Sequence, residues 1–399
     1  MAAADPALTA LIGAYEPGPG PGGLRALLPL AGATLVEHQV RRAVAAGAGR
    51  VLLLIETVPP ELAETVARLR RDGITLAFVE SIGAAADALP EHDPVLLIGD
   101  ACLPEIELIE ALAWLPVPAL ATLQDGPDHQ RHERIDAVTR WAGLALLDGH
   151  RIGETAAMIG DWDPVSTLLR RAVQEDAARL VADAQPPALM VEADRRDDAE
   201  RTMIEAARRP GRDWIERGVF GRFEEVVLPP LLERRVEALS LALGSSVASA
   251  LAAGLAIMDW RGSALVLLLA SGPLAAIAAR IARVRDRPVP HGRLLSEARI
   301  VFAAVALLAL ALRIASGSGQ WGWAVVGGAA LLGMIASARE QRLVPGWAPI
   351  WLARPDGLIW AMAPLALVGR WDAGLALLAL YAWAGAVGAQ REALTRAET

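Results

Sequence analysis

The chain contains no lysine: all 38 of its basic side chains are arginine, against 46 carboxylates, and the formal net charge is −8 over 399 residues. An acidic balance discourages nucleic-acid binding. Any anion would have to be held by arginine, whose planar fork does not replace a lysine ammonium. There is one cysteine, Cys102, so an intrachain disulfide is excluded and a reducing compartment is expected. Cys102 follows an apolar run, where a small buried side chain is a simpler reading than a nucleophile. The start, Met1-Ala2-Ala3-Ala4-Asp5-Pro6, lacks the basic residues and long apolar core of a signal peptide. The soluble part is therefore expected to stay in the cytoplasm.

What is abundant is unevenly spread. Up to about residue 235 apolar runs alternate with charge; beyond it Ala, Leu, Gly and Trp dominate. Six apolar segments follow, at 239–258, 263–281, 294–314, 321–338, 358–368 and 373–389. Most approach the ~20 residues that cross a bilayer. The fifth is short and needs either backward extension through Ile350-Trp351-Leu352 or shielding by its neighbours. Arg280, Arg283, Arg285, Arg287 and Arg293 gather between the second and third segments, Arg339, Arg342 and Arg354 between the fourth and fifth, and Arg391 and Arg396 in the tail. The alternate loops carry little charge, so the positive-inside rule places both termini in the cytoplasm with six crossings. Trp260, Trp321, Trp323, Trp347, Trp351, Trp360 and Trp371 are expected near segment ends, as in interfacial belts. Small residues such as Gly327-Gly328-Ala329-Ala330 allow close helix contact, either inside the bundle or along a homodimer seam.

In the first half, strands are expected at 8–13, 51–55, 74–79 and 95–98, with helices at 35–46 and 60–71. Residues 141–145 read as a return strand. This alternation argues for a mostly parallel sheet with helices on its faces. A Gly/Pro-rich loop, 14–23, follows the first strand, and Gly99-Asp100 follows a later one. That edge is where parallel sheets bind ligands, although an aspartate there also caps turns. His129, His132, Glu133 and Asp136 have no zinc spacing and read as a solvated loop.

Leu11-Ile12-Gly13 and the loop to Arg25, then Leu28-Pro29-Leu30-Ala31-Gly32-Ala33-Thr34-Leu35-Val36-Glu37 and Gly99-Asp100, resemble nucleotidyltransferases of the molybdenum-cofactor guanylyltransferase and sugar-phosphate type. The resemblance implies that Gly13, Gly18, Gly20, Gly22, Gly23 and Arg25 meet the nucleotide's phosphates, and that Asp100 holds Mg²⁺. The chain departs from the pattern in three ways. Pro29-Leu30 replaces the usual Pro-Lys, Pro17, Pro19 and Pro21 stiffen the loop, and Glu16 would repel phosphate.

A second resemblance lies at Ala278-Ala279-Arg280-Ile281-Ala282-Arg283 and onward to Gly292. It is to the CDP-alcohol phosphotransferases of phospholipid head-group synthesis, with the pattern D-x2-D-G-x2-A-R-x8-G-x3-D-x3-D. Aligned on Ala282-Arg283 and Gly292, the four aspartate positions hold Ala275, Ala278, Ser296 and Ile300. That family uses its aspartates to hold two divalent ions and activate the acceptor hydroxyl, so the resemblance implies a fold kept without its reaction. Arg280, Arg283, Arg287 and Gly292 then read as contacts for phosphate or anionic lipid, or as topology-setting charge. Before the first segment, Phe220, Phe223, Leu228, Leu231 and Leu232 recur at helical spacing, as in an amphipathic helix on a membrane surface.

The order of parts is similar to a fusion of the two families. The expected architecture is an α/β nucleotidyltransferase-like (Rossmann-like, mostly parallel) domain at 1–182, a charged linker and juxtamembrane helix at 183–235, and an all-α six-helix membrane domain at 236–399 in a bacterial-type inner membrane. Two functions remain open. One is a catalytically degenerate binding or partner subunit that takes a nucleotide such as CTP or an anionic lipid. The other is an active membrane-tethered enzyme transferring CMP, or another nucleotide, to an alcohol or sugar phosphate.

Overall fold

Short apolar runs separated by amphipathic helices fold into the first of two compact units, Met1–Glu205; the long apolar segments belong to the second, Ala206–Thr399. The computed structural model describes residues 8–158, 162–182, 189–191, 193–209, 211, 213–344, 349–352 and 354–398. The run from Met1 to Pro6 and Trp347 lie outside them.

The first unit runs β1 (Thr9–Gly13), β2 (Pro29–Leu30), β3 (Ala33–Thr34), α1 (Leu35–Ala45), β4 (Arg50–Leu54), α2 (Pro60–Arg71), β5 (Leu76–Val79), α3 (Ile82–Asp87), β6 (Pro94–Ile98) and β7 (Cys102–Leu103). It continues through α4 (Ile106–Ala113), β8 (Ala119–Gln124), β9 (Thr139–Asp148), α5 (Gly149–Ala156), α6 (Pro164–Gln174), β10 (Ala178–Val181), β11 (Leu189–Met190) and α7 (Arg196–Ala206). Seven strands form one sheet in the order β10-β8-β9-β6-β1-β4-β5. Its pairings are parallel except those of β9, the expected return strand, which is antiparallel to both neighbours.

Successive strand residues point to opposite faces. Ala10 and Ile12 pack with Val36, Leu62 and Leu108 of α1, α2 and α4, while Leu11 packs with Ile82, Ile152 and Leu168 of α3, α5 and α6. Helix α1 begins on a capping box, in which the Thr34 hydroxyl and the Glu37 carboxylate each accept the other's backbone amide. From β1 the chain passes through α1 to β4 on one side, whereas β6 returns on the other. The reversal between β1 and β6 opens a crevice at their C-terminal ends.

The second unit contains α8 (Gly221–Glu233), α9 (Ala238–Ile257), α10 (Arg261–Val284), α11 (Gly292–Ser318), α12 (Gly322–Gln341), α13 (Pro355–Leu367) and α14 (Trp371–Glu398). Five of these, α9, α10, α11, α12 and α14, are long and apolar enough to cross a membrane. Their contacts are made by small residues such as Ala252, Ala306, Ala311 and Ala382, while Leu251, Val266, Val325 and Leu380 point outward and are exposed. Gly327 lies against Ala311 with no room for a Cβ, so it serves packing of α11 on α12; Gly328 faces open space.

Three expectations need correction. Helix α13 starts at Pro355, so Ile350, Trp351 and Leu352 do not lengthen it; proline at the first helical position sets the start. Arg280 and Arg283 are not in the loop but in the last turns of α10. Trp360 sits in the middle of α13 with its ring 6.0 Å from that of Phe220, so it packs rather than marks an interface. On α8 and the residue before it, Phe220, Leu228 and Leu232 are buried while Phe223 is exposed.

Candidate functional site

Asp100 stands in the crevice, two residues after β6, and is only 4% exposed. Its turn is held from two sides. From α1, the Gln39 side-chain amide donates to the carbonyl oxygens of Gly99, Asp100 and Cys102 at 3.0, 3.1 and 2.7 Å. From β9, the Gly143 carbonyl accepts the Gly99 amide at 2.9 Å. Gly143 has φ +93°, and a Cβ there would meet the Cys102 side chain at 2.6 Å, so glycine alone fits. Gln39 and Gly143 are positioning residues that sequence reasoning missed. Nothing local to either marks a role made by contacts dozens of residues away.

One oxygen of Asp100, Oδ2, accepts the Glu16 backbone amide at 2.8 Å; the other, Oδ1, is buried with no hydrogen-bond partner among the described residues. Burial pushes the carboxyl up to about 7, against the lowering effect of the Glu16 amide.

The glycine-rich loop closes on itself. Pro17 bridges to Leu24, the Gly18 amide donates to the Gly23 carbonyl at 2.9 Å, the Gly23 amide to Gly20 at 3.0 Å, and the Arg25 amide to Glu16 at 3.0 Å. A Cβ on Gly18 would come within 2.8 Å of the Arg25 Cα, and one on Gly20 would strike the Leu24 carbonyl. These glycines are thus required by the loop's own closure. Gly22 and Gly23 have φ of +69° and +75° within the same turn. Gly13 ends β1, with space for a Cβ limited by Tyr15 and Asp100. The Arg25 guanidinium reaches Glu16 at 2.5 Å.

Tyr15, Glu16, Arg25, Gly99, Asp100 and Gly143 line a cleft of about 330 Å³, within the range of small-molecule sites, whereas Gly13, Gly18, Gly20, Gly22 and Gly23 are not among its lining residues. Glu16, Asp100, Glu133 and Asp163 bring four carboxylates to it, and Arg25 and Arg131 two guanidiniums. Arg131 forms a forked pair with Asp194 at 3.1 and 3.3 Å. Asp163 accepts the Tyr15 hydroxyl at 2.9 Å, and Glu133 the Ser166 hydroxyl at 3.0 Å. Cys102 also lines the cleft, but burial pushes its thiol up to about 12, leaving it unreactive as expected. His132 departs from the solvated reading: it is buried, its Nδ1 lies 3.1 Å from the Trp141 carbonyl oxygen, and burial lowers its pKa. No group of three or more His, Cys, Asp or Glu side chains is placed to hold a metal among the described residues.

Two solved structures are similar to the N-terminal half. CMP:2-keto-3-deoxy-manno-octonic acid synthetase complexed with CTP matches at 12% identity and a TM-score of 0.37, covering 50% of this chain and 99% of that one. The inositol-1-phosphate CTP transferase from T. maritima matches at 16% identity and a TM-score of 0.36, covering 44% of this chain and 85% of that one. No protein-family model and no curated protein matches the chain.

In the second unit the arginines singled out from the sequence are engaged internally. Arg280 is 4% exposed and pairs with Glu224 of α8 at 2.8 Å, and the Arg283 Nε donates to the Ala207 carbonyl at 3.1 Å. Arg287 lies beyond α10, beside a small cavity of about 60 Å³. Gly292 opens α11, packed against Val289. Beside Ile300 in α11, Arg299 makes a forked ion pair with Asp356 of α13 at 2.6 and 3.0 Å.

Proposed function

We propose that the chain is a membrane-anchored protein of nucleotidyltransferase descent whose cleft binds a ligand without transferring a nucleotide, acting as a binding or partner subunit. The observation that carries this reading is the closed loop. Amides at 16, 18, 23 and 25 that would face a triphosphate donate to partners within the protein, and Arg25 is matched by Glu16. Phosphate binding at such loops depends on free amides and uncompensated positive charge. The membrane unit fits the same reading, because Ala275, Ala278 and Ile300 offer no ligand and Ser296 a weak one, whereas bridging a diphosphate with two metals takes several carboxylates. Arginine placement supports a multi-pass protein of a bacterial-type inner membrane, with both termini cytoplasmic and the lipid bilayer as its immediate partner.

One observation favours a second reading, an active enzyme that moves CMP from CTP to an alcohol or sugar phosphate. The unpartnered Oδ1 of Asp100 fits a Mg²⁺ ligand, since Mg²⁺ takes one or two carboxylates and completes its shell with substrate phosphates and water. Bound there, the ion would neutralise charge on the phosphates, with Asp100 holding it and Gln39 fixing the turn that presents it.

Pyrophosphate release from CTP and GTP by the full chain in detergent, with Mg²⁺, separates the two. The expected rate equals that of the Asp100→Ala variant. Turnover by the parent that disappears in Asp100→Ala would establish the enzyme instead.

A further inference from the structure

Arg25 and Glu16 meet at the mouth of the cleft, 2.5 Å apart, with 30% and 42% of their side chains exposed. Glu16 does two things at once. Its carboxylate sits on the guanidinium, and its backbone amide donates to Asp100 Oδ2 at 2.8 Å. The same residue therefore occupies both the cation and the carboxylate that a nucleotide's phosphates and their metal would need. The Arg25 amide returns to the Glu16 carbonyl at 3.0 Å, so the backbone holds the two side chains in register.

We propose that Glu16 is a resident phosphate mimic and the specificity-determining residue of the cleft: it occupies Arg25 as an anionic ligand would, and so excludes nucleoside triphosphates in favour of uncharged or cationic ligands. The charge balance agrees. Four carboxylates face two guanidiniums among the described lining residues, and the second guanidinium, Arg131, is committed to Asp194. A triphosphate entering the cleft would add like charge to a site already negative and displace Glu16 from Arg25. Both are unfavourable in a partly desolvated cleft, where charge-assisted bonds are among the stronger ones. This rests on reading the cleft as a former nucleotide site.

The test is CTP binding by calorimetry to the full chain in detergent, with and without Mg²⁺. The parent is expected to show no saturation at millimolar CTP. Glu16→Gln keeps the side chain's shape but removes its charge, and is expected to tighten CTP binding about ten- to a hundredfold. Glu16→Ala should do the same, and adding Arg25→Gln to Glu16→Gln should abolish the gain. Parent binding as tight as that of Glu16→Gln would overturn the proposal, as would a gain that survives loss of Arg25. Loss of the cooperative thermal melt in both Glu16 variants would make the pair structural and also overturn it. Tight CTP binding by the parent without pyrophosphate release would sink this inference alone, whereas pyrophosphate release would sink the proposed function.

Discussion

At the scale of single residues, two carboxyls among the described residues sit where ionisation is costly. Asp100 is one; the other is Asp213, fully buried in the second unit eight residues before α8 begins. Asp213 Oδ1 accepts the Glu216 amide at 2.9 Å, and Oδ2 has no partner among the described residues, pressed where a Cβ on Gly357 would be 2.7 Å away. Burial, helped by Glu216 and Asp356 and opposed by the Glu216 amide and Arg354, pushes its carboxyl up to about 6. The sign follows from linkage: an acid whose folded value exceeds its unfolded one binds its proton more tightly when folded. The penalty is absent below about pH 4, grows as pH rises to about 6, and is complete above. Asp213→Asn, which keeps the acceptor for Glu216, is therefore expected to stabilise the chain by on the order of 1–3 kcal/mol at pH 7.5 and by little at pH 4. Thermal melts at both pH values measure this. A gain of equal size at both would place the effect elsewhere than in the charge.

At the scale of elements, a largely buried ion pair joins two helices of the second unit. Arg299 and Asp356 link α11 to α13, with side-chain exposures of 9% and 18%, and Gly272 of α10 makes room for them. A Cβ at Gly272 would lie 2.9 Å from both Asp356 Oδ1 and Phe220 Cζ. Removing one partner of a buried pair strands the other, so Asp356→Ala should cost about 3–5 kcal/mol. Asp356→Leu combined with Arg299→Met should recover most of it, because two apolar side chains need no partner. Tryptophan fluorescence during unfolding reads both, and a double variant as unstable as the single one would show that packing, not charge, is what was lost. This pair also marks the limit of sequence reading. The alternation of strands and helices, Asp100 after β6 and the apolar segments were legible because they are local patterns of period 2 or 3.6. Arg299 and Asp356 are 57 positions apart, and no local spacing links them. Likewise, Gly18 and Gly20 looked like a phosphate loop, since the sequence of a self-closing glycine turn differs little from that of an open one. Gln39 was hidden inside an amphipathic helix whose apolar face explained the whole segment.

At the scale of the whole molecule, the side on which the C-terminus lies is set by the parity of the crossings, and α13 decides it. Six crossings return the C-terminus to the side of α9's start; five place it opposite. Helix α13 has 13 residues, about 20 Å, against a hydrocarbon core of about 30 Å. Length alone argues for five. Packing argues for six: Leu358, Ile359, Met362, Ala363 and Ala366 lie in the core of the bundle with residues of α10, α11 and α14. A short span is tolerated where neighbouring helices cover its ends and no backbone polar group meets lipid. The native Cys102 is buried and its thiol pushed up to about 12, so it gives a silent background for single added cysteines. Asp259, Gln320, Arg370, Arg287 and Arg396 are all exposed positions for them. With a membrane-impermeant maleimide on intact cells, Asp259→Cys, Gln320→Cys and Arg370→Cys are expected to label from outside, and Arg287→Cys and Arg396→Cys only after permeabilisation. Labelling of Arg396→Cys from outside, with Arg370→Cys protected, would mean that α13 turns back within the membrane and that five helices cross.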